Sequence, residues 1–277
     1  MSETMIGTLR KLTAELDEHH QVHYQLPIGE QLLPLNQLIG GTLSLTFQGK
    51  ITCCHCGRTT KKSYSQGFCF PCMQKLAQCD MCILKPETCH YAQGTCREPE
   101  WGEQHCFVPH YVYLANTSGL KVGITRHTQL PTRWIDQGAT QALAIYKVNT
   151  RLQSGLVETA LAELVADKTN WRAMLKQPAD ELDLHDHAHR LRQQITTRIS
   201  HIQDLYGSQA VQTLNEETVQ IQYPVSQYLT KISALNFDKT ANISGTLLGI
   251  KGQYLIFDTG VLNIRKFSSY LISAQWN

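Results

Sequence analysis

A chain of 277 residues has room for two or three modules. Its 42% apolar content is that of an ordinary globular protein, and the lack of any run of eighteen apolar residues excludes a long apolar membrane span. The net charge of +2 excludes little as a total, but the cations are concentrated. Between Gln31 and Cys79 no acid offsets Lys50, Arg58, Lys61, Lys62 and Lys75, and from Phe107 to Arg151 the only acid is Asp136. Such a basic stretch predicts a polyanionic partner, most simply nucleic acid, with a solvated and internally neutralised face as the alternative. The first ten residues lack the apolar stretch of an export signal, so a cytoplasmic location is expected. In that setting CxxC pairs favour metal over disulfides.

In chain order, the pattern predicts an α+β protein. Residues 1–50 read as β-structure, with alternation in Gly7-Thr-Leu-Arg-Lys-Leu and Thr42-Leu-Ser-Leu-Thr-Phe. Residues 51–106 form a cysteine module too polar to bury a core without metal. In the next unit, 107–178, Tyr111–Ala115 and Lys121–Thr125 are two short strands joined by a turn at Asn116-Thr-Ser-Gly119. Pro131 opens a short helix over Thr132–Gln137 that Gly138 ends, and Ala142–Val148 is a third strand. Ser154 is a candidate cap for a helix reaching about Lys168. A second helix is expected within 179–210, its acids first and its bases later, as the helix dipole favours. Residues 211–277 return to β, ending in a meander with turns at Lys251-Gly252 and Thr259-Gly260. The two β-rich ends are expected to form one barrel, a shape that often binds oligonucleotides.

All ten cysteines lie between Cys53 and Cys106. Cys53, Cys56, Cys69 and Cys72 form C-x2-C-x12-C-x2-C, the pattern of a ribbon-type structural zinc site in which each CxxC turn supplies two thiolates. Cys54 is left as a neighbour. The second set offers five thiols for four places. Cys79, Cys82, Cys89 and Cys96 are the first choice for a second structural zinc, with Cys106 as a replacement for one of them and His90 and His105 in reserve. An iron–sulfur cluster on this set is the alternative, since thiolates suit both.

The tract after the cysteines reads HYVYLANTSGLKVGITRHTQLPTRWIDQGA. It resembles the GIY-YIG nuclease superfamily. Tyr111-Val112-Tyr113 looks like the first triplet of that family and Lys121-Val122-Gly123 like the second, while Arg133 and Glu158 fall on the helices where the family has its Arg and its metal-binding Glu. The resemblance spans His110 to Met174 and implies a small mixed sheet with helices, phosphodiester hydrolysis, and a catalytic Mg²⁺ or Mn²⁺. One departure is Lys121, where the family has Tyr. The whole arrangement also resembles an uncharacterised bacterial family of unknown function that pairs a cysteine module with the VYL, KVGIT and RWIDQGA stretches.

The residue types suit that chemistry. Arg133 can grip a phosphate and stabilise transition-state charge. Glu158 can hold a divalent cation, with Glu163 as the alternative acid. Tyr111 or Tyr113 can orient or deprotonate water if a cation such as Lys121 lowers the phenol pKa. Arg58, Lys61, Lys62 and Arg126 are candidate phosphate contacts, and Trp134 a candidate base-stacking platform. For Tyr113 and Trp134 plain core packing is the competing role, and for Arg133 a surface pair with Asp136. The expected function is a metal-dependent nuclease. A non-catalytic nucleic-acid-binding protein and a zinc-stapled protein-interaction scaffold are the alternatives.

Overall fold

The structure is a computed structural model, and it describes residues 3–165 and 170–277. The N-terminal region gives five strands: β1 (Glu3–Thr8), β2 (Thr13–Leu16), β3 (Val22–Ile28), β4 (Gln31–Pro34) and β5 (Thr42–Thr52). The cysteine module adds β6 (Thr59–Thr60), α1 (Phe70–Lys75), a series of 3-10 turns and α2 (Pro99–His105). Then come β7 (His110–Asn116), β8 (Leu120–Arg126), α3 (Thr132–Asp136), β9 (Gln141–Val148), α4 (Arg151–Ala162), α5 (Trp171–Met174) and α6 (Leu184–Tyr206). The chain closes with β10 (Val211–Thr213), β11 (Val219–Gln220), β12 (Asn242–Lys251), β13 (Tyr254–Phe257), β14 (Gly260–Asn263) and β15 (Tyr270–Trp276). No helix among the described residues is long and apolar enough to cross a membrane.

The two ends of the chain share one sheet, ordered β1-β15-β5-β12-β13-β14, with β6 beside β5. It is not the barrel expected from the sequence, because its outer strands β1 and β14 do not pair among the described residues. The free side of β1 is taken by the β2-β3-β4 sheet instead. Leu9 bridges to Ile28, and a Cβ on Gly7 would stand 2.6 Å from the Gly29 nitrogen.

The central sheet is ordered β10-β9-β7-β8, with β11 also on β9. Strand alternation splits its side chains between two cores. Val112, Leu114, Val122, Leu143 and Ile145 face α4 and α6. Tyr113, Ala115, Ala142 and Ala144 face the opposite way and join the core of the terminal sheets. The two layers are also tied by polar contacts. Asp136 accepts from Lys11 at 2.9 Å and from Gln253 at 2.8 Å, and Gln253 in turn pairs with the backbone of Leu12. Asp136 is thus engaged by the terminal β-regions, in place of the Arg133–Asp136 surface pair that was one sequence expectation.

Two helix boundaries differ from expectation for local reasons. Thr150, not Ser154, caps α4. It forms a capping box with Gln153, and Ser154 sits inside the helix bonding back to the Arg151 carbonyl. The expected extension of that helix over 166–168 lies outside the described residues. Asp183 caps α6 by accepting from Asp186, which leaves Asp180 and Glu181 ahead of the helix.

Candidate functional site

Strand β5 runs directly into Cys53, and the chain reverses through a knuckle. The Cys53 nitrogen donates to the Arg58 carbonyl at 2.8 Å, and Gly57 takes the left-handed conformation that lets β6 return beside β5. The second pair is built differently from the knuckle a ribbon site predicts. Cys69 is the N-cap of α1 and Cys72 lies in its first turn. The four sulfurs all lie within 4.8 Å of one another, and those of Cys56 and Cys69 are 3.7 Å apart. A tetrahedron of sulfurs about 2.3 Å from a zinc ion has edges of about 3.8 Å, so this donor set fits zinc. Burial works against the Cys53 thiolate, yet backbone N–H groups of Cys56, Cys69 and His55 bring its pKa down to about 6. Burial and the neighbouring thiols push Cys72 up.

The second set is arranged otherwise than expected. Cys82, Cys89, Cys96 and Cys106 line one small cavity with Asp80, His90, Arg97, Tyr91, Trp101 and Phe107. Cys79 does not line it. Leu76–Asp80 turn Cys79 toward the first site, where its neighbours include Cys53, Cys54 and Ser65. The CxxC spacing of Cys79 and Cys82 therefore does not make a knuckle. Asp80 lies between them, accepts from the Cys82 nitrogen and forms an ion pair with Arg97 at 2.6 Å. None of the ten cysteines is in a disulfide.

Beyond the cysteines, β7 and β8 pair in register with Tyr113 opposite Gly123. The phenol ring lies across that glycine, where a Cβ would meet the ring at 2.6 Å. Tyr113 is fully buried, donates to Gln137 Oε1 at 2.7 Å, and meets Trp134 edge-on at 6.0 Å. Burial pushes its pKa up to about 12. The Arg133 guanidinium, in hydrogen-bonding reach of the phenol oxygen, works against that rise, and Glu158 adds to it. Tyr113, Arg133 and Glu158 therefore share one electrostatic neighbourhood. Arg151 joins them: burial lowers its pKa, Arg133 adds to that, and Cys106 and Glu158 oppose it. Its guanidinium donates to the Ile83 carbonyl at 2.5 Å, which ties the cluster to the wall of the cysteine cavity.

The remaining predicted residues are dispersed. Tyr111 is half-buried, opposite Thr125 and Lys147, with its ring against the larger core. Lys121 stands opposite Ala115 and lines a different cavity, of about 470 Å³, with Leu164, His187 and Arg190. Glu163, the alternative acid, is exposed at the end of α4 and pairs with Arg198 at 3.4 Å. Arg58, Lys61 and Lys62 are exposed around the first metal site, and Arg126 is half-buried at the end of β8. Trp134 is only 6% exposed, so it packs in the core and does not present a ring to a base. Arg151 was visible in the sequence only as one cation among several, and no spacing singled it out.

Fold and first site define an α+β protein of several sheets that carries a four-thiol centre suited to a metal ion such as zinc. The chain belongs to the DUF2797 family, described as proteins of unknown function, whose sequence profile matches residues 40–272. Searches among curated proteins and among solved structures return no match.

Proposed function

We propose that this protein is a metal-dependent nuclease of GIY-YIG type, with a zinc-stapled basic module that grips nucleic acid. The observation that carries the reading is that Arg133 and Glu158, on two different helices, both act electrostatically on the buried Tyr113 phenol, Arg133 within hydrogen-bonding reach of it. Arg133 is the phosphate grip: it is half-buried, and its planar fork can hold two phosphate oxygens. Arg151 adds positive potential beside it from a fixed position. Tyr113 is held neutral at ordinary pH and buried, so its part is to orient Arg133 rather than to take a proton. Of the two tyrosines, Tyr111 is the one that solvent reaches.

Glu158 is the acid of this cluster. A single carboxylate completed by water and substrate phosphate is the usual support for Mg²⁺ or Mn²⁺. Such an ion would supply Lewis acidity toward a phosphoryl oxygen. Arg58, Lys61 and Lys62 extend the basic surface along the first metal site and add sequence-independent affinity.

A second reading is a nucleic-acid-binding protein of the same fold without cleavage. It is favoured by Lys121 in place of the family's tyrosine and by the complete burial of Tyr113. Labelled DNA and RNA, single-stranded and duplex, incubated with the purified chain and Mn²⁺ or Mg²⁺ separate the two. The nuclease reading expects cleavage that Glu158→Gln abolishes while a gel shift persists. A salt-sensitive gel shift with no cleavage supports the second reading, and no shift at any salt removes both.

A further inference from the structure

The end of β5, the connection after β1 and the turn before β15 meet in a cleft of about 610 Å³ beside the first metal site. Arg10 and Lys11 line it from the β1–β2 connection, Arg265 from the segment after β14, and Cys54 and Gln66 from the cysteine module. Its floor is fixed by backbone bonds. Ser269 has a φ of 80°, uncommon for a residue with a side chain. Three bonds hold it there. Its nitrogen donates to the Leu9 carbonyl at 2.8 Å, its carbonyl accepts from the Thr52 nitrogen at 2.9 Å, and its hydroxyl donates to the Gly67 carbonyl at 2.8 Å. The charge around the cleft is one-sided, since no acid lines it among the described residues. Lys11 is paired with the buried Asp136, and Arg10 with the exposed Glu30. Arg265 is half-buried and is held by a neutral acceptor, Gln66 Oε1, rather than by a carboxylate. Burial lowers its pKa, Asp136 opposes that and Arg133 adds to it, which puts Arg265 and Arg133 within electrostatic reach of each other. A cation so placed is costly to desolvate and is stabilised by an anion that completes it.

We propose that this cleft is a phosphate subsite for a nucleic-acid strand, in which Arg265 grips a phosphate flanking the one held by Arg133. It rests on the nuclease reading for the part given to Arg133. The planar guanidinium of Arg265, anchored through Nε, can turn its terminal nitrogens to two phosphate oxygens. Arg10 adds long-range attraction, because its pair with Glu30 stands in solvent and is weak. The neutral polar lining comes from Thr8, Thr52 and Ser268, and no aromatic ring lines the cleft among the described residues. Such a lining suits a sugar–phosphate backbone and not a base. Arg133 is in turn within electrostatic reach of Arg151, so cations from three elements of the fold form one series. A series of this kind matches the repeated charge of a polyanion better than the single charge centre of a free phosphate.

The test is fluorescence anisotropy of the zinc-loaded full chain with labelled oligonucleotides, DNA and RNA, single-stranded and duplex, over a range of salt. Mg²⁺ and Mn²⁺ are left out so that binding is read without cleavage. Arg265→Gln is expected to weaken binding about tenfold and to lower the slope of log affinity against log salt by about 0.7–0.9, the share of one phosphate contact. Arg198→Gln removes the same charge from α6, across the central sheet, and should change neither. A wild-type measurement stands beside the variants: saturating oligonucleotide should protect Cys54, an exposed thiol in the cleft, from alkylation by iodoacetamide, read by peptide mapping. Equal affinity and salt slope in wild type and Arg265→Gln would overturn the subsite, and so would Cys54 alkylated equally fast with and without oligonucleotide. Binding that depends on Arg265 in a chain that cleaves nothing keeps the subsite and removes the nuclease reading. Cleavage by a chain whose binding ignores Arg265 does the reverse, and no binding at low salt overturns both.

Discussion

Gly123→Ala tests the geometry of the central cluster. The added methyl would sit 2.6 Å from both Cζ and Oη of Tyr113 and 2.9 Å from Cε2. The ring has nowhere to retreat, being fully buried, bonded to Gln137 at 2.7 Å and edge-on to Trp134. Overpacking a buried contact costs about 1–3 kcal/mol. Replacing a strand glycine by alanine returns about 0.5–1 kcal/mol through the unfolded chain. The difference spans about 0–2.5 kcal/mol, and because the ring cannot retreat a net loss in the upper part of that span, about 1–2 kcal/mol, is expected, roughly 2–6 °C in Tm for a chain near this size. Thermal melts in zinc-containing buffer would read it, with Tyr113→Leu as the second arm. In the Tyr113→Leu background the penalty should vanish, because the colliding end of the ring is gone. An alanine that is neutral or stabilising in the wild-type background would refute the packing of Tyr113 over Gly123.

Three further outcomes follow from buried groups. His110 is fully buried and bonded to the Val108 carbonyl at 2.7 Å, and burial, with Arg151 and Arg126 nearby, holds its pKa down to about 4. Since that value lies below the ordinary 6.5, the unfolded chain takes up the proton first. Stability should fall by about 3 kcal/mol as pH drops from 6.5 through 4, and urea midpoints of His110→Gln should lack that share. Lys251 is buried over the rings of Tyr223 (5.4 Å) and Tyr228 (5.9 Å), its ammonium has no hydrogen-bond partner among the described residues, and burial lowers its pKa to about 8. Lys251→Met should therefore stabilise the fold by about 1–3 kcal/mol at pH 7, with the gain shrinking as pH rises through 8 toward 10.5. Asp136→Ala leaves Lys11 and Gln253 without their acceptor and should cost about 2–3 kcal/mol in the same assay.

Much of the local structure was legible in the sequence. The turn at Asn116–Gly119, the short helix before Gly138 and the β12–β14 meander follow from turn residues and alternation, which are local signals. The first metal site was equally legible, because two CxxC units twelve residues apart specify four ligands without knowledge of the fold. The second set was not. Five cysteines fit four places, and the CxxC of Cys79 and Cys82 suggested a knuckle. Only the 3-10 turns around Asp80 send the two thiols to different sites. Trp134 shows a related limit: its residue type allowed both base stacking and core packing, and its burial depends on the terminal sheets packing over the central one. The barrel failed for a long-range reason too, since the hairpin sheet of β2–β4 occupies the edge a barrel would have closed. Arg151 had no sequence signature at all, since its place comes from α4 docking against the cysteine module.

The claim that Arg133 and Glu158 act together on a phosphodiester is tested most directly by single-turnover cleavage. Wild type, Glu158→Gln and Arg133→Lys would be compared with a labelled substrate, each checked for the same zinc content. Wild type should cleave, and Glu158→Gln should lose cleavage while still shifting the substrate. Arg133→Lys should cleave about 10²–10³-fold more slowly, the scale for removing one preorganised donor to developing charge. Equal rates for all three proteins, or product that appears without added Mg²⁺ or Mn²⁺ and survives in Glu158→Gln, would contradict it.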